Sequence, residues 1–342
     1  AICWYQAFGK IRIMSKHNTP TYLFDLFLGS ILWEIIESAF DLAIFDQLSS
    51  EWQSSHSIAK ALSLSLKPTA LLLDALCSIE LIQKKDQHYK LSDSVERYLC
   101  ARSTYCIKDL LLQLKNIKYA DKEVIKNILK TGKSPADHLT FLEQDFWQNS
   151  RKRLYSFHQT MGTDTALEQI VKLPEWSFAN TFLDLGGGSE LLSERILQQH
   201  PSIHVTLFDL PKCVDKIHSS DPRLRIKAGD YNCDSLGEGY DIIWASMSLY
   251  FANNLDALLQ KIKLSLSETG VFISFHEALS HERTQPESHI TGRFLPSITG
   301  SDLSFTDGVI ANSLNKIGFG AVSSHYVETP CGEMRVDIAR LQ

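Results

Sequence analysis

The stretch Thr181-Phe-Leu-Asp-Leu-Gly-Gly-Gly-Ser-Glu190 limits the possible folds of this chain more than any other segment. An apolar strand, Phe182 to Leu185, runs into three glycines and then into a helix over 191–199 that ends near His200-Pro201. Glycine allows a tight turn and lets backbone approach a ligand that a Cβ would block. A second strand over 204–208 ends at Asp209, about 20 positions beyond the turn, where a carboxylate can accept both ribose hydroxyls. A third, over 223–228, leads into Gly229-Asp230-Tyr231, whose carboxylate and ring suit an adenine amine and base face. Tyr240 to Ala245 and Gly270 to His276 read as the fourth and fifth strands. A glycine turn alone is a weak signal. With Asp209 and Asp230-Tyr231 it predicts a mostly parallel α/β sheet, helices on both faces, and a nucleotide-like ligand in the crevice at the strand ends.

The N-terminal half reads differently. Tyr22, Leu23, Leu26, Phe27, Ile31, Ile35, Ile36, Ala39, Phe40 and Ala43 recur at helical spacing. Ser57 opens a second helix, and Pro68 sits in the first turn of a third over 69–81. Two short apolar runs, at Leu81-Ile-Gln83 and Tyr89-Lys-Leu91, flank a polar turn at Lys84–His88 and predict a hairpin. Three helices and a hairpin in this order predict an α-rich winged-helix domain over 20–105. Its third helix carries only Asp74 and Glu80 as charges. DNA readout needs basic and amide side chains there, so a second protein chain is the expected partner and nucleic acid is not. Residues 106–164 read as a helical connector. Leu110, Leu111, Leu112, Leu114 and Ile117 lead it, Ser134-Pro135 breaks it, and Phe141, Phe146, Trp147, Leu154, Phe157 and Met161 follow. Phe157 and Met161, four apart, predict one helix face and a pocket wall.

Composition bounds the remainder. A chain of 342 residues can hold two cores. Its net charge of -6 gives no general attraction to nucleic acid or anionic membrane. The most apolar stretch, over 22–48, is broken by Asp25, Glu34, Glu37, Asp41 and Asp46, so no membrane span is expected. Seven cysteines without metal-type spacing predict free thiols, a cytoplasmic location and no metal site. Met14 reads as a natural start, leaving 1–13 without a role and 1–19 as a poorly ordered extension.

Asp184-Leu-Gly-Gly-Gly-Ser, Phe208-Asp-Leu-Pro211 and Gly229-Asp-Tyr231 resemble the motifs of the dimeric class I O-methyltransferases of the caffeate, hydroxyindole and polyketide types. The resemblance covers nearly all of 21–342. It implies a Rossmann-like S-adenosylmethionine-binding domain over 165–342, a homodimer through the N-terminal domain, and a small aromatic or polyketide-like acceptor. Carried over by position, it implies cofactor contacts from Thr165, Gly186, Gly188, Glu190, Asp209, Leu210, Asp230, Tyr231 and Ser246. Phe157, Met161 and Tyr250 would line the acceptor.

Two positions depart from the family pattern. Glu190 stands where the glycine turn normally ends in another glycine. It can cap the next helix, meet the cofactor's cationic amino group or sulfonium, or fill the pocket; capping is the expected role. Tyr250 stands where the family has its general-base histidine, and the acid that orients that histidine falls near Ser304 or Asp302. Tyrosine, with a reference pKa of about 10, is a poor base. Tyr250 and His276 are therefore the candidate catalytic residues, with Glu277 an ordinary acid beside the strand end and His281 and His289 expected on the surface. Two alternatives follow from these departures: a catalyst of this fold that does not methylate (a cyclase, decarboxylase or pericyclic catalyst), and an inactive binding partner.

Overall fold

The computed structural model describes residues 19–48, 51–118, 120–133, 151, 154–300 and 302–341. The expectations for 1–13 and Met14, and for Ser134, Pro135, Phe141, Phe146 and Trp147 in the connector, lie outside these residues. The chain divides into two compact units, Ala1–Asp109 and Leu110–Gln342.

In the first unit the periodic apolar segment forms α1 (Thr19–Asp41). Ala39 and Phe40 at its end are buried, whereas Leu23, Phe24, Leu26, Phe27 and Ile31 are exposed. A run of large apolar side chains along one helix differs from the scattered single exposures of an ordinary surface and marks a contact face. After α2 (Ile44–Gln47), the Ser54 side chain accepts the Ser57 N–H and caps α3 (Ser55–Ala61). Helix α4 (Leu66–Ser78) starts earlier than expected, and Pro68 still falls in its first turn, where the missing N–H breaks no helical bond. The hairpin is β2 (Ile82–Lys85) and β3 (His88–Leu91). Its turn is shorter than the predicted one: only Asp86 and Gln87, at φ 47° and 64°. Two left-handed residues give the twist that matches a two-residue hairpin. A short β1 (Gln53–Ser54) adds a third strand in the order β1-β3-β2, and α5 (Asp93–Leu99) follows.

The second unit opens with α6 (Lys108–Lys118, begun at the boundary) and α7 (Lys122–Thr131). One five-residue π turn, His158–Gly162, leads into α8 (Thr163–Val171). Then come β4 (Thr181–Leu185), α9 (Leu191–Gln199), β5 (His204–Asp209), α10 (Pro211–Val214) and β6 (Leu224–Ala228). They are followed by β7 (Tyr240–Ser246), α11 (Leu255–Ser265), β8 (Leu266–His276), α12 (Glu287–Thr299) and α13 (Val309–Lys316). The seven-stranded sheet has the order β6-β5-β4-β7-β8-β10-β9. Strands β6 to β8 run parallel, while β9 (Ala321–Thr329) and β10 (Gly332–Arg340) add an antiparallel edge.

Alternation along the strands builds two cores. Phe182, Ile242 and Ile273 belong to one cluster; Leu183, Ile243 and Phe272 belong to the other. Strand order reverses beside β4, with β5 on one flank and β7 on the other. The crevice beyond the carboxyl ends of β4, β5 and β7 is where a sheet of this kind receives a ligand.

Candidate functional site

The glycine turn meets the conformational demands that its sequence implied. Gly186 (φ 75°) donates its N–H to the Phe208 carbonyl at 2.8 Å. A Cβ added there would lie 2.5 Å from the Cβ of Ser248, so the ends of β4 and β7 approach as closely as glycine permits. Gly188 (φ 66°) donates to Asp209 Oδ2 at 2.8 Å, and Leu210 N–H donates to Asp209 Oδ1 at 2.7 Å. Burial pushes the Asp209 carboxyl above its ordinary range, and these two N–H groups, with a hydrogen bond from the Cys213 thiol, oppose the rise. The carboxylate keeps lone-pair capacity for a ligand hydroxyl. Below the turn, buried Asp184 accepts from Ser193 at 3.2 Å. Burial, together with the Asp209 charge and against the Ser193 bond, raises Asp184 to about 7.

Asp230 Oδ1 accepts the Asn232 N–H at 2.8 Å and so fastens its own turn. The Tyr231 hydroxyl donates to the Ser248 carbonyl at 2.6 Å, tying the end of β6 to the loop after β7. Ser246, half-buried, is the last residue of β7. Thr165 donates its hydroxyl back to the Met161 carbonyl at 3.2 Å.

Glu190 differs from its expected capping role. It precedes α9 in helical geometry, with no side-chain cap bond, and its Oε2 is buried without a hydrogen-bond partner. A buried acceptor left unpaired costs about 1–3 kcal/mol, so this oxygen calls for a donor. Asp209 and Glu190 together fit a ligand that carries a vicinal diol and a cationic N–H group, which tests S-adenosylmethionine against the residues present.

The predicted Phe157–Met161 face runs through a π turn, in which the Thr163 N–H reaches the His158 carbonyl five residues back. A Cβ on Gly162 would meet the Phe157 ring at 2.9 Å. The same turn places His158, a residue that the sequence reading missed, against the glycine loop. Its Nδ1 lies 2.6 Å from Ser189 Oγ, and burial lowers its pKa to about 4. In the sequence it is one polar residue followed by two others, Gln159 and Thr160, with no spacing that singles it out.

At the ends of β7 and β8, both catalytic candidates are tied into structure. His276 Nε2 accepts the N–H groups of Ser248 (3.2 Å) and Leu249 (3.1 Å), which places the ring proton on Nδ1. Burial lowers this imidazole to about 3. It holds the β7 loop and has no lone pair to offer an acceptor. Tyr250 is buried; its oxygen accepts the Glu277 N–H at 2.9 Å and its ring stacks on Phe305 at 4.7 Å. Burial first, and the Glu277 charge second, hold its phenol far above the ordinary range. The segment expected to bring an acid to Tyr250 brings Phe305, while Asp302 pairs with Arg283.

Two further expectations change here. His289 is buried, with Nε2 at 2.6 Å from the Glu333 carbonyl and Nδ1 at 3.3 Å from Glu277 Oε1. His281 is exposed as expected. Glu277 is more than an ordinary acid: Arg293 pairs with it, and the guanidinium also lies 4.7 Å from the centre of the Tyr250 ring. Burial raises the Glu277 pKa, but the His289 bond and the Arg293 charge outweigh it and depress the carboxyl to about 2.

Comparison with known proteins agrees with this arrangement. An O-methyltransferase domain model matches residues 143–295, and an O-methyltransferase dimerisation domain model matches 24–101. An uncharacterised protein, MJ0086 of Methanocaldococcus jannaschii, is 26% identical over 74% of this chain and 68% of its own. The 3-hydroxy-5-methyl-1-naphthoate 3-O-methyltransferase of Streptomyces sahachiroi is 24% identical over 68% of this chain and 69% of its own. Across eight curated relatives, the matched stretch spans 37% to 69% of their length. Human N-acetylserotonin methyltransferase, solved with S-adenosylmethionine, shares the fold at a TM-score of 0.71 and 18% identity, covering 96% of this chain and 99% of its own.

Two consequences are measurable. Between pH 6.5 and 3 the unfolded chain protonates the position-276 imidazole and the folded chain does not, so stability drops as pH falls through that window. In His276→Gln, whose amide oxygen can still accept, urea unfolding at several pH values is expected to show an acid slope shallower by up to about 1.4 kcal/mol per pH unit. Arg293→Met leaves Glu277 buried without its guanidinium and is expected to cost about 3–5 kcal/mol in the same measurement at pH 7.

Proposed function

We propose that this chain, which belongs to the S-adenosylmethionine-dependent O-methyltransferase family, methylates an oxygen of a small aromatic or polyketide-like acceptor. The observation that carries the reading is the glycine turn at the end of β4, fastened through Gly188 to Asp209 at the strand-order reversal. Names of relatives support the acceptor class: one acts on a naphthoate, another is a tetracenomycin polyketide 8-O-methyl transferase.

In this reading Asp209 takes the ribose hydroxyls, with the backbone around Leu210 fixing its carboxylate. Asp230 and Tyr231 stand at the adenine, and Gly186, Gly188, Thr165, Glu190 and Ser246 border the rest of the cofactor. Bound S-adenosylmethionine supplies an electrophilic methyl group; the chain supplies alignment, the larger part of such a rate gain. The wall formed by Phe157, Met161 and Tyr250 orients the acceptor and keeps water from it. Tyr250 is then an aromatic surface stiffened by Phe305 and Arg293, and His276 is a positioning residue for the loop that presents it.

Neither residue takes the acceptor's proton. The His276 lone pair is engaged and the Tyr250 phenol is held protonated. His158 touches the glycine loop at Ser189, and burial leaves it a weak base. Acceptors that ionise readily, such as acidic phenols and enols, therefore fit this site better than ordinary phenols.

Residues 20–105, with the exposed face of α1, form the homodimer in this reading, and 165–342 hold the cofactor, with 106–164 supplying the acceptor wall. Among the described residues no single helix is long and apolar enough to cross a membrane, and the six described cysteines are free. A cytoplasmic location is consistent with free thiols.

Calorimetric titration tests the cofactor assignment: Asp209→Ala is expected to weaken S-adenosylmethionine and S-adenosylhomocysteine about tenfold or more by removing hydrogen bonds to a charged acceptor. Unchanged affinity would sink the ribose role. With an acceptor in hand, product mass should rise by one methylene unit. The rate should climb with pH along the acceptor's own ionisation, and a plateau set by an enzyme group near pH 6.5 would refute the missing base.

A further inference from the structure

Glu190 joins two facts that the cofactor reading leaves unexplained. It replaces the small residue that would end a glycine turn, and its Oε2 is buried without a hydrogen-bond partner. Its carboxylate acts on Tyr155 and Glu194, a phenol and a second acid, and raises the pKa of both. In each case burial is the larger cause. Among the described residues no cation pairs with Glu190. A helix cap would explain the carboxylate only if it accepted a first-turn N–H, and it accepts none.

Resting on the cofactor reading above, we propose that Glu190 is the acceptor for the α-ammonium group of the cofactor's methionine end. An orphaned acceptor is satisfied by a donor, and the ammonium carries three N–H bonds. The sulfonium is equally cationic but has no N–H or O–H to donate, so it would leave Oε2 unpaired. The neighbouring loop side chain, Ser189, is engaged by His158, which leaves Glu190 as the free acceptor at this end of the turn. A glutamate at this end of the turn thus strengthens binding of ligands that keep the amino-acid amine.

Three ligands separate the possibilities in calorimetric titrations of the full chain and of Glu190→Gln. S-adenosylmethionine carries both ammonium and sulfonium, S-adenosylhomocysteine only the ammonium, and methylthioadenosine neither. The expected result is a loss of about ten- to a hundredfold for the first two in Glu190→Gln, with methylthioadenosine unchanged. The unchanged ligand also shows that the variant is folded. Loss for S-adenosylmethionine alone would assign Glu190 to the sulfonium and overturn the proposal. Equal affinity for all three, or tighter binding in the variant, would overturn it while leaving the cofactor reading intact. Failure of the unaltered chain to bind any of the three would overturn the cofactor reading and this inference with it.

Discussion

One hydrogen bond organises the crevice: the Gly188 N–H on the Asp209 carboxylate at 2.8 Å. It ties the loop after β4 to the end of β5, and it requires a left-handed residue that only glycine adopts without strain. The adjoining approach of Ser248 to Gly186 ties the same loop to the end of β7. Three parallel strands are thereby held in one register at their carboxyl ends. Those two contacts hold the ends of β4, β5 and β7 together, and the Tyr231 hydroxyl joins them through the Ser248 carbonyl.

The second structural commitment lies at the ends of β7 and β8. A histidine with an engaged lone pair, a tyrosine with an engaged hydroxyl and a carboxylate paired with arginine form one buried polar cluster. Such a cluster rigidifies a core to the extent that its members are satisfied, and here the His276 Nδ1 proton is buried without a partner. The cluster fixes the ends of β7 and β8 and offers no free imidazole lone pair there; in the proposed function, that moves the burden of ionisation to the acceptor molecule.

Much of the fold was legible beforehand. The five parallel strands and α9 follow from apolar runs punctuated by glycine and proline, a local signal. The antiparallel edge was not read. Strand β9 is largely exposed, and β10 alternates Met334, Val336 and Ile338 with the ion-paired Arg335 and Asp337, a period-two signal that was passed over. The π turn was hidden, because a five-residue hydrogen-bond step leaves no spacing signature in so short a segment. Its consequence, His158 against Ser189, followed the same fate.

The sequence by itself determined the class of sheet, the glycine turn, the acidic residues that follow its strands, and the absence of a histidine at position 250. These depend on backbone conformation and side-chain chemistry, which are properties of short segments. Only the tertiary structure decided what the remaining polar groups do: that His276 holds a loop, that His289 is buried on Glu277, that Phe305 occupies the place expected for an acid, and that Glu190 ends in an unpaired oxygen. Those roles are set by partners far away in the chain, and a hydrogen bond depends on where its donor and acceptor meet in space.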